Sequence, residues 1–255
     1  MKKYFYLLAL VCTLGFFASC SSDDDDEKNE ANRLEAIEGT WNVEESTVSA
    51  DGAYSGSVKV NWEVPAGTTI NIDLGGQSMP MDMNTRVIPL INSMSNMYFP
   101  QVLKNVTFTA DGKISAVYND ADTDAEAEWK TADGYATYDV VSDNLINLHI
   151  NVAKATENID DASTKAMVTT ILSHQQFSSI PVHISWNDGK PFFYVDKEFV
   201  QPLLTMVVGI ISQVPTTGMA PEDVASFEML KGIINQMPEI MNKTTKFEAG
   251  IELTK

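Results

Sequence analysis

The side chains that could do chemistry are few. Histidine occurs three times in 255 residues, at His149, His174 and His183. His149 and His183 fall on the polar side of alternating stretches, and His174 near the end of a helical one. Two strand histidines meeting across a sheet could hold a metal, but nothing else converges on them, so isolated surface histidines are expected. Asp120, Asp122 and Asp124 have the alternate spacing of a twelve-residue calcium loop. Ala125 stands where that loop needs glycine and Thr131 where it needs glutamate, which leaves a solvated connection. Met79, Met81 and Met83 recur at every second residue. Thioethers so spaced can hold Cu(I), though methionines serve more often as adaptable packing. There is no Gly-x-Ser-x-Gly elbow, phosphate-cradling glycine loop or His-Glu-x-x-His pair. Acids are so abundant that no carboxylate pair stands out. The expectation is a protein with no catalytic residue, no metal and no cofactor.

The elements that would carry such residues read mainly as strands. Asp51-Gly52, Asp111-Gly112, Asp133-Gly134 and Asp188-Gly189 supply the positive φ angles of tight turns. Flanking alternation makes residues 105–118, 127–141 and 182–195 each read as strand, turn, strand. Val58, Val60, Trp62 and Val64 share one face, as do Ile70, Ile72 and Leu74. Ile146, Leu148, Ile150 and Val152 repeat the pattern, and so do Phe247, Ala249, Ile251 and Leu253. That predicts roughly ten or more strands, mostly antiparallel, which must close or pack as two layers to hide their edges. Helical spacing interrupts at residues 85–103, 160–177, 196–214 and 220–241.

The first residues set location. Lys2 and Lys3 precede the apolar run Tyr4–Ala18, which is short for a membrane span of about 20 residues. "FASC" (Phe17 to Cys20) resembles the lipobox of bacterial lipoproteins, in which cleavage precedes a diacylglyceryl cysteine. Phe17 departs from the usual leucine. The resemblance implies a signal peptide over 1–19 and lipidation at Cys20. Residues 20–36 form an acidic tether with too little apolar surface to fold. The "SSDDDD" run also resembles the surface-export signal of Bacteroidetes lipoproteins. It implies an outer-membrane lipoprotein facing the cell exterior, with a periplasm-facing tether as the alternative. The chain carries a formal net charge of −18. Without a basic cluster it is a poor nucleic-acid partner, and a chain this acidic is expected to be repelled by anionic headgroups. Cys12 leaves with the signal, so residues 37–255 contain no cysteine and must rely on an ordinary apolar core.

"IEGTWNVEES" (Ile37 to Ser46) resembles the Gly-x-Trp first strand of lipocalin-like barrels through Gly39 and Trp41. With the lipoprotein start and the hairpins, the chain resembles lipocalin-like, calycin-type lipoproteins of Bacteroidetes. The implied fold is mainly β with inserted helices. It would be an antiparallel barrel or sandwich over 37–255, with amphipathic helices covering one side or end. The helical faces either serve the core or wall a cavity for a small apolar or amphipathic ligand. Met94, Met97, Met206, Ile210, Phe227 and Met237 are the candidate lining residues. The rival expectation is an interaction module of a surface uptake system, with Trp62, Trp129 or Trp186 stacking on glycans or docking protein.

Overall fold

A computed structural model describes residues 37–74, 77–121, 125–157, 159, 162–214, 216 and 221–255. The signal segment, Cys20 and the acidic tether lie outside the described residues, as do Asp122 and Asp124. Thirteen strands follow in chain order: β1 (Gly39–Asn42), β2 (Thr47–Val48), β3 (Tyr54–Ser55), β4 (Val58–Glu63), β5 (Thr69–Leu74), β6 (Gln77–Asp82), β7 (Leu103–Phe108), β8 (Lys113–Asn119), β9 (Trp129–Ser142), β10 (Leu145–Ile150), β11 (Ile180–Asn187), β12 (Lys190–Asp196) and β13 (Lys246–Glu252). The longer helices are α1 (Ile88–Val102), entered through a π-helical turn at Met83–Val87, then α2 (Val152–Ala155), α3 (Ala162–Leu172), α4 (Lys197–Ile211) and α5 (Pro221–Lys243).

Nine strands make one curled antiparallel sheet in the order β1-β7-β8-β9-β10-β11-β12-β13-β4. From β7 to β13 each strand pairs with the next one in the chain, as hairpin signals lead one to expect. Asp188 (φ 49°) and Gly189 (φ 79°) both take positive φ between the paired Asn187 and Lys190, a two-residue turn that needs this dipeptide. Asp111-Gly112 joins β7 to β8 in the same spirit, with the Gly112 amide donating to the Thr109 carbonyl.

Asp133-Gly134 corrects the expected hairpin over 127–141. β9 runs through it unbroken, and Gly134 (φ 74°) sits in a bulge. Ser115 faces Asp133 while its neighbour Ile114 faces Ala136, so β9 spends two extra residues between consecutive partners. A turn and a bulge need the same positive φ, and only the neighbouring strands decide between them.

The alternating faces bury as expected. Phe247, Ala249, Ile251 and Leu253 are all buried, and Ile146 and Leu148 join the same core. Gly250 is the gap in that pattern. A Cβ there would lie 1.9 Å from the Phe193 carbonyl oxygen, so β12 and β13 approach only because it is glycine. The main core also takes Val168, Ile171 and Leu172 from α3 and Phe199, Val200 and Leu203 from α4. A second cluster joins Ile70, Met83, Val87 and Ile88 to Ile240, and a third joins Val207 and Ile211 of α4 to Phe227 and Ile234 of α5.

Both margins of the sheet are occupied. Asn42 of β1 exchanges two backbone hydrogen bonds with Thr254, just beyond β13 (2.6 and 3.0 Å). The outer edge of β4 meets α1 instead of another strand. Asn96 accepts from the Val58 amide and donates to the Val58 carbonyl, both at 2.9 Å. Asn92, one turn earlier, does the same for Val60 at 2.8 and 3.0 Å. Each side-chain amide offers one donor and one acceptor, which is what a paired strand would offer.

Candidate functional site

The register of β7 to β13 places a set of apolar side chains on one face. Val106 pairs with Ala116, Phe108 with Ile114, and Ile114 with Ala136. Ile146 pairs with Val182, and Phe193 with Ile251. Directly opposed residues point to the same side of a sheet. These residues, with Leu103, Leu148 and Leu253, line a partly open cavity of about 230 Å³. Every lining side chain is hydrocarbon. Two of them are alanines, Ala116 and Ala136, set among Val, Ile, Leu and Phe, and they leave the room that larger side chains would fill. On the β10–β13 wall the lining residues are buried, whereas those from β7 to β9, apart from Phe108, are half-buried.

Aromatic packing shapes the neighbourhood. Phe108 stacks on Phe193 at 5.1 Å and meets the Tyr138 ring edge-on at 5.4 Å. The Tyr138 hydroxyl donates to the Thr109 carbonyl at 2.9 Å, and burial pushes it up to about 12, so it stays protonated at neutral pH. Trp41 is opposite Val106, on the cavity's face of the sheet, and is 2% exposed. Its indole N–H donates to the Ile37 carbonyl at 2.7 Å. Trp186 meets its ring edge-on at 5.8 Å, and the Lys255 ammonium lies over it at 4.8 Å.

The residues expected to line a cavity sit elsewhere. Met206 packs between the main core and the α4–α5 cluster, Ile210 packs against the main core, and Phe227 is buried in the α4–α5 cluster. Met237 packs against the cluster around Ile70 and Ile240. Met97 is half-buried on α1, and Met94 is 47% exposed. None of the six is among the lining residues. The cavity is bounded by strands, while α4 and α5 spend their apolar faces on each other and on the core. The two alanines were the missed signal. Small residues at inward positions of neighbouring strands leave space, but only the register shows that they adjoin.

The reactive groups stay apart. His149 bridges the Asp139 carboxylate (2.7 Å) and the Ser178 carbonyl (2.9 Å). His183 stacks on Tyr194 and approaches Asp196 at 3.3 Å. His183 faces Leu145 across β10–β11, so His149 lies four residues further along, about 13 Å. Burial holds His183 below its ordinary value against the pull of Glu198 and Glu248. Burial, then the Glu198 charge, pushes Asp196 up to about 7 against the backbone N–H groups of Phe199 and Glu198. Asp196 caps α4 through those N–H groups, which accounts for its position.

Met79 is 48% exposed and Met83 fully buried, so the three methionines do not present one open soft face. Among the described residues no group of three or more His, Cys, Asp or Glu could hold a metal ion. Of the three tryptophans, Trp62 is half-buried against Phe247 and bonds the Thr244 hydroxyl, while Trp129 and Trp186 are 39% and 43% exposed. No described helix is long and apolar enough to cross a membrane. No protein-family model, curated protein or solved structure matches this chain.

Proposed function

We propose that the protein is a surface lipoprotein, tethered to the outer membrane through Cys20, whose curled sheet binds a small apolar ligand. The observation that carries this reading is the cavity of about 230 Å³ walled only by hydrocarbon. An apolar space of this kind stays dry, and one of roughly 150 Å³ takes benzene. This one suits a compact ligand of roughly ten carbons, smaller than the occupants of drug-sized pockets. Binding would come from shape and dispersion, since no polar side chain is at hand to orient a charged group.

The lipocalin-like form of the reading rests on two features. The Asn42–Thr254 bridge joins the first strand to the residues after the last, which would turn the curled sheet into a closed barrel. A buried tryptophan on the first strand, under a lysine from the chain's end, would then plug one part of it. Cys20 and the acidic tether supply location in this reading.

Native mass spectrometry on protein purified from its own cell envelope tests it. The expected result is a co-purifying adduct of roughly 100–250 Da, given the space available. It should be lost from Ala116→Leu, which fills the cavity. Wild-type protein that comes out empty, with no apolar compound extracted from it, would overturn the ligand reading.

A further inference from the structure

Helix α1 turns amide side chains inward and one apolar stripe outward. Its polar residues face the protein: Asn92 and Asn96 satisfy the edge of β4, and the Ser93 hydroxyl accepts from the Tyr54 amide at 3.0 Å. Asn96 is 3% exposed. Ile88, Ile91 and Phe99 pack inward, but four other apolar residues face solvent: Leu90, Met94, Tyr98 and Val102 are 48%, 47%, 41% and 50% exposed. The four recur every fourth residue, so they form one winding stripe about 18 Å long. A surface helix ordinarily turns such a stripe inward.

The charge around the stripe is as unusual. In a chain of net charge −18, no acid occurs between Asp82 and Asp111. The only charges in that interval are Arg86 and Lys104, one beyond each end of α1. An apolar stripe with a tyrosine on it, a cation beyond each end and no carboxylate within the helix is the composition of a helix lying in a bilayer interface. The chain as a whole is acidic and is repelled by anionic headgroups, so a face without carboxylates is favoured for approaching them.

We propose that α1 lies on the phospholipid surface, with Leu90, Met94 and Val102 in the boundary between headgroups and acyl chains. Size favours lipid over a second copy of the chain or another protein. A stable protein interface buries about 800 Å² on each partner, and one exposed helical stripe offers well under half of that. Interfacial insertion has no such threshold when a covalent anchor keeps the domain nearby. This step rests on the tether reading. Cys20 precedes Ile37 by only 17 positions, so an acyl anchor there would keep the domain at the lipid surface and make weak insertion effective.

The test uses the full lipidated chain in vesicles of phosphatidylethanolamine and phosphatidylglycerol, with an environment-sensitive fluorophore on Met94→Cys or, as control, on Thr205→Cys of α4. Cysteine-free residues 37–255 keep the labelling specific. Lipids brominated near the headgroup end of the acyl chain should quench the Met94 label at least threefold more than the Thr205 label. Leu90→Ser/Val102→Ser should abolish the difference while leaving the thermal midpoint unchanged. Equal quenching at both sites, with intact acyl mass on Cys20, would overturn the interfacial helix and leave the tether standing. If Cys20 carries no acyl group, the tether reading fails on its own. The unlipidated chain with the same vesicles then decides: a quenched Met94 label keeps the helix proposal, an unquenched one ends it. A Met94 label shielded by self-association, without bromolipid quenching, also overturns it in favour of a second copy.

Discussion

α1 and α4 are each fifteen residues long and each carries an apolar stripe; an aspartate caps α4 directly, and another caps the π-helical turn that leads into α1. They use that stripe in opposite ways. α4 buries Phe199, Val200, Leu203, Val207 and Ile211. α1 buries Ile88 and Asn96 and turns Leu90, Met94, Tyr98 and Val102 outward. The difference lies in what each helix packs on. α4 covers a sheet face made of hydrocarbon. α1 covers a strand edge, whose N–H and C=O groups must be satisfied before anything else is gained. Helix orientation follows the chemistry of the partner surface, and an edge selects amide side chains.

The largest expected effect breaks α1 from that edge. Asn92→Ala/Asn96→Ala removes the partners of two amides and two carbonyls on Val58 and Val60, which are 1% and 8% exposed. Orphaned buried polar groups cost about 1–3 kcal/mol each, and partial access of water leaves an expected loss of roughly 3–5 kcal/mol in a denaturant titration. Leu203→Ala on α4 should cost a similar amount, about 2–5 kcal/mol, by opening a cavity. Hydrogen exchange separates the two mechanisms. The Asn variant should speed exchange at Val58 and Val60 selectively, and Leu203→Ala should not. Equal protection of those amides in both variants would mean that the asparagines are not the edge's partners.

The two caps sharpen the comparison. Asp82, ahead of α1, accepts from the Thr85 amide and hydroxyl, and these bonds hold it below the usual carboxylate value. Asp196 does the same work for α4 in a buried setting that pushes it up to about 7. A carboxyl raised from 3.8 in the unfolded chain to about 7 in the folded one favours folding while protonated. That stability is present at acid pH and is lost as pH rises through about 7. His183 acts with the opposite sign, because its lowered value removes stability as pH falls below 6.5. Wild-type stability should therefore decline by about 1 kcal/mol at most between pH 6 and 8.5, the His183 effect offsetting part of the Asp196 one. Asp196→Asn, still a good cap, should flatten that decline, while Asp82→Asn should leave it in place. The measurement is the thermal midpoint against pH for the three proteins. An Asp196→Asn profile that matches the wild type would show that the cap's hydrogen bonds offset its burial.

What could be read in advance follows the range of the interactions involved. The alternation around Val58, Ile146 and Phe247 is local, and so is the Asp188-Gly189 turn, and each is formed as expected. Asp133-Gly134 looked the same locally, yet β8 pairs along both halves of β9 and makes it a bulge. The cavity was the least legible feature. Its space depends on Ala116 and Ala136, which share a site only through the register of β7 to β9. The orientation of α1 lay in between. Met94 and Met97 were expected to line a cavity, but Asn92 and Asn96, at a spacing of four, bond the edge of β4 and turn Met94 outward. Helical periodicity gives the stripe and leaves open which side is inside.

The smallest expected effect tests whether α4 is ordinary where α1 is not. Gly209 stands in the interior of α4, solvent-exposed, with a negative φ and open space where a Cβ would point. Nothing in the packing requires glycine there, so it costs backbone entropy without return. Gly209→Ala should stabilise the protein by about 0.5–1 kcal/mol, read as a higher denaturant midpoint with an unchanged slope. Ser95→Ala at the middle of α1 offers the matched substitution. Serine and alanine differ by less than glycine and alanine in helix propensity, so the gain there should be roughly half as large. If Gly209→Ala destabilises instead, something approaches that face of α4, and the contrast between a helix closed against the core and one open to the outside would have to be redrawn.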